Sequence, residues 1–259
     1  MKPTASLREV EAERVVPWGS PAQYAWHVAR YRFALSLARG NRVLDVGSGE
    51  GYGAALMAES AKHVVGVDYS PAAVEHARDR YEHPNLTFVE ADVRSLPGPP
   101  ESFDLVTCFE VLEHIDDHRA LLDGIQRALV PGGTLLMSSP NAELERLHEL
   151  VTGREHYAYH VNVLTAGGFE ALLGHHFTDV MLYGQYARGN RLRFVLKLMD
   201  RYNLRHRLMR SRSLQIGVSQ RVMGTPTEGS TSADDVEFSR LMVRQSPIVL
   251  ARARLPKQF

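Results

Sequence analysis

Val43-Leu44-Asp45-Val46-Gly47-Ser48-Gly49-Glu50-Gly51-Tyr52-Gly53 decides the fold of this chain. Its aliphatic start reads as a short buried strand, over 41–47, and the glycines that follow at alternate positions break it into a turn. Helix resumes over 54–61. Working outward, 22–39 reads as a helix ahead of the strand. His63–Val67 is a second strand ending at Asp68, and Ser70-Pro71 opens a helix through Tyr81, with Ser at the N-cap and Pro in the first turn. Leu86–Glu90 is a strand with Asp92 just beyond it, and Phe103–Cys108 is another. A helix over Asp117–Leu129 stops at Pro131-Gly132-Gly133, before a strand at Thr134–Ser138. Short apolar strands alternating with helices predict an α/β fold, a doubly wound and mostly parallel sheet. Strands at Asp179–Tyr183 and Ile248–Ala253 would bring it to seven.

The chain has 259 residues, enough for one full core and an elaboration. The expected organisation is an arm and capping helix over 1–34, a ligand-binding core over 35–140, and an acceptor-side region over 141–259 that completes the sheet. Within the last part, Glu143–Thr152 and Ala166–His175 read as helices, and 225–235 is Gly-, Ser- and Thr-rich. Thirty basic and thirty acidic residues balance, which argues against a nucleic-acid partner, since that needs a basic footprint. The single Cys108 excludes an internal disulfide framework and a cysteine-based zinc site. Neither a signal peptide nor a membrane-spanning run is apparent, so the expected address is cytoplasmic.

The glycine loop separates two ligand classes. A dinucleotide site needs Gly-x-Gly-x-x-Gly, and neither Gly47 nor Gly49 starts one: the last position holds Tyr52 or Ala54. Asp45 and Glu50 would repel a pyrophosphate. They suit S-adenosylmethionine (SAM), which offers a sulfonium, an ammonium and one carboxylate. Asp68, about 20 residues on, would accept from both ribose hydroxyls. Asp92 would take the adenine amino group, with the backbone of Val93 at the ring. Any one of these acids taken alone could be a helix cap; three at successive strand ends are harder to assign that way.

Val43–Gly51, Val65-Gly66-Val67-Asp68, Glu90-Ala91-Asp92-Val93, Phe103-Asp104-Leu105-Val106 and Leu129-Val130-Pro131-Gly132-Gly133 follow one another as they do in class I SAM-dependent methyltransferases, and the chain resembles that family. The resemblance implies a Rossmann-like SAM-binding fold, with Asp45, Gly47, Ser48, Gly49, Tyr52, Asp68, Tyr69, Asp92, Val93, Phe109 and Glu110 around the cofactor. Glu13–Pro17, Ala29–Ala34, Gly49–Gly53 and Ser138-Ser139-Pro140-Asn141 look similar to bacterial methyltransferases acting on sugars, glycans and secondary metabolites. In the family a helix at the front covers the methionine end of SAM, which draws attention to Tyr24, His27 and Tyr31. Plain helix packing is the competing reading for these three.

For the chemistry, Phe109-Glu110-Val111-Leu112-Glu113-His114 follows the fourth strand at the mouth of the site. If it is helical, Glu110, Glu113 and His114 share a face. His114 could then be a general base oriented by a carboxylate such as Glu113. Alternatively the three could hold Mg²⁺ as metal ligands, and the stretch resembles the Glu-x-x-Glu-His segment of ubiquinone-type O-methyltransferases, where a divalent metal is implicated. A local ion pair is the plain structural alternative. A second candidate is His156-Tyr157-Ala158-Tyr159-His160-Val161-Asn162, expected as an acceptor lid with His160 as its catalytic residue, or else as a loop anchored by its aromatics. Arg188–Arg212 carries nine basic residues against Asp200, a basic helical insertion that is either a solvated face or a site for phosphorylated or nucleotide-linked acceptors or an anionic membrane surface.

These residues point to methyl transfer to a small-molecule hydroxyl, on a sugar or natural-product scaffold. Transfer to nitrogen or carbon of a metabolite, and SAM binding without catalysis, are the other readings. Phe109-Glu110-Val111-Leu112 stands where base-amine methyltransferases carry Asn/Asp-Pro-Pro-aromatic, which disfavours a flipped base. A homo-oligomer is compatible with all of them.

Overall fold

The computed structural model describes residues 15, 17, 19–146, 160–187, 232–241 and 243–256. The expectations for residues 1–14, for the helix beyond residue 146, for His156–Tyr159, for the basic stretch 188–212 and for most of 225–235 lie outside the described residues.

Helix α1 (Pro21–Ala38) leads into β1 (Arg42–Val46), α2 (Tyr52–Ala58), β2 (His63–Asp68), α3 (Pro71–Arg80) and β3 (Leu86–Glu90). Then come β4 (Phe103–Phe109), α4 (His118–Ala128), β5 (Leu129–Pro140), α5 (Ala166–Gly174), β6 (Thr178–Ala187), β7 (Val236–Ser239) and β8 (Ile248–Arg254). Local chemistry sets the helix starts. Ser70 Oγ accepts from Ala73 N and Pro71 occupies the first turn of α3, while Asp117 caps α4 by accepting from Ala120 N at 3.0 Å.

The sheet order is β3-β2-β1-β4-β5-β8-β6-β7. Pairings from β3 through β5 are parallel, and those of β8 with β5 and β6, and of β6 with β7, are antiparallel. The seven-stranded, mostly parallel expectation is thereby corrected to a mixed sheet of eight strands. The added strand is β7, which pairs Val236 with Ala187 and Ser239 with Gly184. It follows the Ser- and Thr-rich segment, whose polar composition masks the alternation that a short edge strand would otherwise display. Among the described residues no helix is long and apolar enough to cross a membrane.

Successive strand residues feed opposite faces of the sheet. Leu44 and Val106 join Leu121, Leu122 and Ile125 of α4 on one side, while their neighbours Val43 and Leu105 join Tyr31, Ala34 and Met57 on the other. Each such fully buried aliphatic side chain contributes about 1.5–3 kcal/mol. Both faces are therefore covered, which is the condition for a central parallel sheet. Strand order reverses between β1 and β4. The crevice at the carboxyl ends of those two strands is the ligand position of open α/β sheets. It lies between the glycine loop after β1 and the segment 109–114 after β4.

Candidate functional site

The glycine loop is held from three sides. Gly47 N and Ser48 N donate to Val67 O, at 2.8 and 2.9 Å, and Gly49 N donates to Asp68 Oδ2 at 2.9 Å. Asp68 Oδ1 accepts from Ser70 N at 3.0 Å, so one buried carboxylate ties the loop after β1 to the turn after β2. Gly47 adopts φ +73°, and a Cβ there would run into Val111; a Cβ on Gly53 would enter the ring of Tyr31. Glycine at these positions lets the loop, the turn after β4 and α1 close on one another.

Asp45 sits inside this closure with no exposed surface. Thr107 Oγ1 donates to it at 2.7 Å, and the Tyr31 hydroxyl lies 3.3 Å from its Oδ2. Burial pushes its carboxyl up to about 7, against the opposing effect of those two hydrogen bonds. Helix α1 supplies the rest of the wall. Tyr52 hydroxyl meets His27 Nδ1 at 3.0 Å, and the Tyr52 ring packs edge-on to Tyr24 and Tyr31 at 5.1 and 5.8 Å between centroids. Tyr31 also stands edge-on to Phe109 at 5.1 Å. Burial, with the nearby charge of Arg30, holds the His27 imidazole well below its usual range and therefore neutral.

Arg30 is the residue that sequence reasoning passed over. Its side chain is buried, Nη1 donates to Gln185 Oε1 at 2.8 Å, and Nε has no hydrogen-bond partner among the described residues. A guanidinium kept from water normally meets an anion. The signal was present: Arg30 follows Trp26 by four and His27 by three, on the buried side of α1. Its partner Gln185 lies 155 positions away, beyond the reach of any local pattern.

Asp92 is exposed and engaged by Arg94, whose backbone N and Nε each donate to it at 2.9 Å. That partner lowers the carboxyl to about 2. Beside it Val93 is buried, and Tyr69, next to Asp68, is 61% exposed.

The turn after β4 departs from the helical expectation. Glu110 takes φ +55°, and only Leu112–His114 makes a turn of 3₁₀ helix. Glu110, Glu113 and His114 consequently do not line up along one α-helical face. Glu110 is drawn back to accept from Ser138 Oγ at 2.7 Å at the end of β5. The group that assembles instead is Glu113, His114 and His160, with one donor atom from each lying within 4.8 Å of the others. The two rings stand edge-on at 5.4 Å. Glu113 is buried, and its Oε2 has no hydrogen-bond partner among the described residues. Burial first, then the charge of Glu110, pushes its carboxyl well above the usual range. His160 Nδ1 meets Glu145 Oε1 at 3.0 Å. Backbone bonds from Val161 N and Asn162 N to Glu113 O, at 3.0 and 3.2 Å, fasten the His160 segment to this turn. Two imidazoles and one carboxylate could hold a divalent ion that favours nitrogen. They do not fit the Mg²⁺ expectation, because Mg²⁺ prefers oxygen donors throughout.

Residues 44–137, from β1 to β5, match the family described as "Methyltransferase domain". Over this stretch the chain is similar to a methyltransferase domain. The stretch contains the glycine loop, Asp68, Asp92, Glu113 and His114, and it leaves Arg30, Tyr31, Glu145 and His160 outside. A "Probable S-adenosylmethionine-dependent methyltransferase" of Mycolicibacterium smegmatis is 38% identical over 138 residues, covering 52% of this chain and 53% of the relative. The chain thus spans about half the length of that curated relative. The "Ubiquinone biosynthesis O-methyltransferase" of Coxiella burnetii is 27% identical over 180 residues, or 63% of this chain and 76% of that one. Among solved structures, the methyltransferase domain and its surroundings superpose on a SAM-dependent methyltransferase, "possible histamine N-methyltransferase", from Thermotoga maritima, with TM-score 0.64, 18% identity and coverage of 95% and 94% of the two chains. The N-methyltransferase NodS of Bradyrhizobium japonicum, in complex with S-adenosyl-L-homocysteine, gives TM-score 0.59 at 19% identity, covering 96% of each. Likeness at this identity shows the fold.

Proposed function

We propose that this chain transfers the methyl group of SAM to a hydroxyl of a small molecule, on a sugar or natural-product scaffold. What supports this reading is Asp68 bonded to the glycine loop at Gly49 N, a buried Arg30, and the gathering of Glu113, His114 and His160 at the turn after β4. In this reading Asp68 keeps its two backbone bonds and accepts from the ribose with its remaining lone pairs. Tyr69 and Val93 flank the adenine, with Asp92 at its amino group. Gly47, Ser48, Gly49 and Tyr52 line the methionine portion, Arg30 takes its carboxylate, and Tyr24, His27, Tyr31, Phe109 and Glu110 close the site beneath α1. Asp45 shapes that wall rather than meeting the ligand.

The sulfonium already activates the methyl carbon. The chain's own work is to align the hydroxyl oxygen with the S–CH₃ bond, exclude water and accept a proton. Alignment supplies most of the acceleration, and a base adds roughly 10²–10⁴-fold. His160, with His114 beside it, is the proton acceptor in this reading, and Glu113, whose carboxyl burial pushes well above its usual range, completes the group. A capping helix over 1–34, a cofactor core over 35–140 and an acceptor-side region from 141 onward make up the working organisation.

The test is direct. Titration calorimetry with S-adenosylhomocysteine should give saturable binding, and NAD should give none. Methyl-labelled SAM offered with phenolic, catecholic and sugar acceptors should yield O-methyl products. Saturable cofactor binding with label appearing only on amines would replace the hydroxyl reading by N-methylation, the chemistry named for NodS.

A further inference from the structure

We infer that Glu145 is a positioning residue which fixes the His160 ring so that Nε2 receives the proton of the acceptor hydroxyl. The inference rests on the methyl-transfer reading above and names the part that orients its base.

The geometry carries it. Glu145 Oε1 and His160 Nδ1 lie 3.0 Å apart, and each side chain is only 15% exposed, so the contact is shielded from competing water. A carboxylate can only accept, so Nδ1 must carry the hydrogen, and Nε2 is the acceptor of the neutral ring. Glu145 is itself rigidly rooted. Its backbone N donates to Asn141 O at 3.1 Å in the helical turn that leaves β5, and buried Asn141 donates through Nδ2 to Arg244 O and Ser246 O, at 3.0 Å each. On the opposite side, the backbone bonds of Val161 and Asn162 to Glu113 O hold the ring segment against the turn after β4. His160 is thereby clamped between the carboxyl ends of β4 and β5. His114 is exposed by contrast, and burial together with the charge of Glu110 pushes the Glu113 carboxyl well above its usual range. A carboxylate behind an imidazole orients the ring and stabilises the imidazolium that forms.

The acceptor O–H proton passes to His160 Nε2 while the oxygen bonds to the methyl carbon. The C–S bond breaks, its electron pair stays on sulfur, and the products are the methyl ether, neutral S-adenosylhomocysteine and an imidazolium paired with Glu145. The proton then leaves to solvent.

The experiment uses the full chain saturated with S-adenosylhomocysteine, with the imidazole nitrogens followed by heteronuclear NMR. The wild type should show His160 protonated at Nδ1. Glu145→Ala should move the ring toward protonation at Nε2, and Glu145→Gln, which keeps an acceptor oxygen, should restore the wild-type tautomer. With an O-methylated acceptor in hand, Glu145→Ala should lower kcat by roughly 10–10³-fold, a portion of what the base contributes, with little change in the KM for SAM. A wild-type ring protonated at Nε2, or a Glu145→Ala ring and kcat both unmoved, overturns the assignment. The ring measurement needs no acceptor, so it can fail while methyl transfer stands, and can succeed where the hydroxyl reading fails.

Discussion

Arg30 and Gln185 meet at 2.8 Å although 155 positions separate them, and Gln185 in turn donates to Trp26 O at 2.8 Å. The contact fixes the front helix α1 to strand β6 and leaves a buried guanidinium whose Nε has no hydrogen-bond partner among the described residues. Gln185 is neutral and Arg30 acts on the buried Glu113 carboxyl only against a larger upward push, so in the proposed site the cofactor carboxylate supplies the anion that Arg30 meets. Arg30→Ala should weaken S-adenosylhomocysteine binding by roughly 10–100-fold, the loss expected for a charge-assisted hydrogen-bond pair. Arg30→Lys, which keeps the charge without the planar fork, should lose less. Calorimetry that finds wild-type affinity in Arg30→Ala removes this role.

Asp68 serves the loop and, in the proposed site, the ribose. Asp68→Asn keeps one oxygen for Gly49 N or Ser70 N and loses the charge, so cofactor affinity should drop by about tenfold or more while the fold persists. Asp68→Ala removes both contacts and should cost up to about a hundredfold, with added protease sensitivity in the loop. If limited proteolysis changes but calorimetry does not, Asp68 is a structural fastener alone.

Asp45 predicts an unusual pH dependence. Its folded-state carboxyl is raised to about 7 from an ordinary 3.8, so the folded state holds the proton more tightly than the unfolded chain. The sign follows: its contribution is fully present below the ordinary value and is lost as pH rises toward and through about 7. Asp45→Asn keeps the shape and removes the titration. Melting temperature of the cofactor-free wild type should therefore fall relative to Asp45→Asn between about pH 4 and about pH 8. Parallel curves for the two proteins would show that Asp45 does not titrate in this window.

His160→Ala should reduce turnover by roughly 10²–10⁴-fold and leave SAM affinity nearly intact, the pattern for loss of a base. His114→Ala should cost less, because its ring is exposed while that of His160 is half-buried. Chelators should leave activity unchanged. Activity abolished by a chelator and restored by Zn²⁺ or Mn²⁺ would mean that Glu113, His114 and His160 act as a ligand set instead.

Gly53→Ala should disturb the site without touching its chemistry. The added methyl would enter the Tyr31 ring, so α1 must shift from the glycine loop. Such overpacking costs typically 1–3 kcal/mol. Cofactor affinity should fall together with melting temperature, and in a Tyr31→Ala background the same Gly53→Ala change should cost less.

The sequence by itself determined the cofactor half. Short strands, capped helices and the Gly47–Gly53 turn are local features: each depends on residues within a few positions, and Ser70, Pro71 and Asp117 carry their own helix starts. The acids at 45, 68 and 92 could likewise be read from their distance to strand ends. Tertiary structure decided the rest. The turn after β4 looked helical by spacing, yet Ser138 on β5 holds Glu110 and the backbone takes a positive φ there, so Glu110, Glu113 and His114 do not share one α-helical face. The group that forms instead draws His160 from a different segment and orients it through Glu145. Arg30 became conspicuous only once Gln185 and the surrounding core removed it from water. Periodicity reports which face of an element is apolar, whereas a catalytic constellation is a set of distances between elements, and those distances exist only after the sheet has assembled.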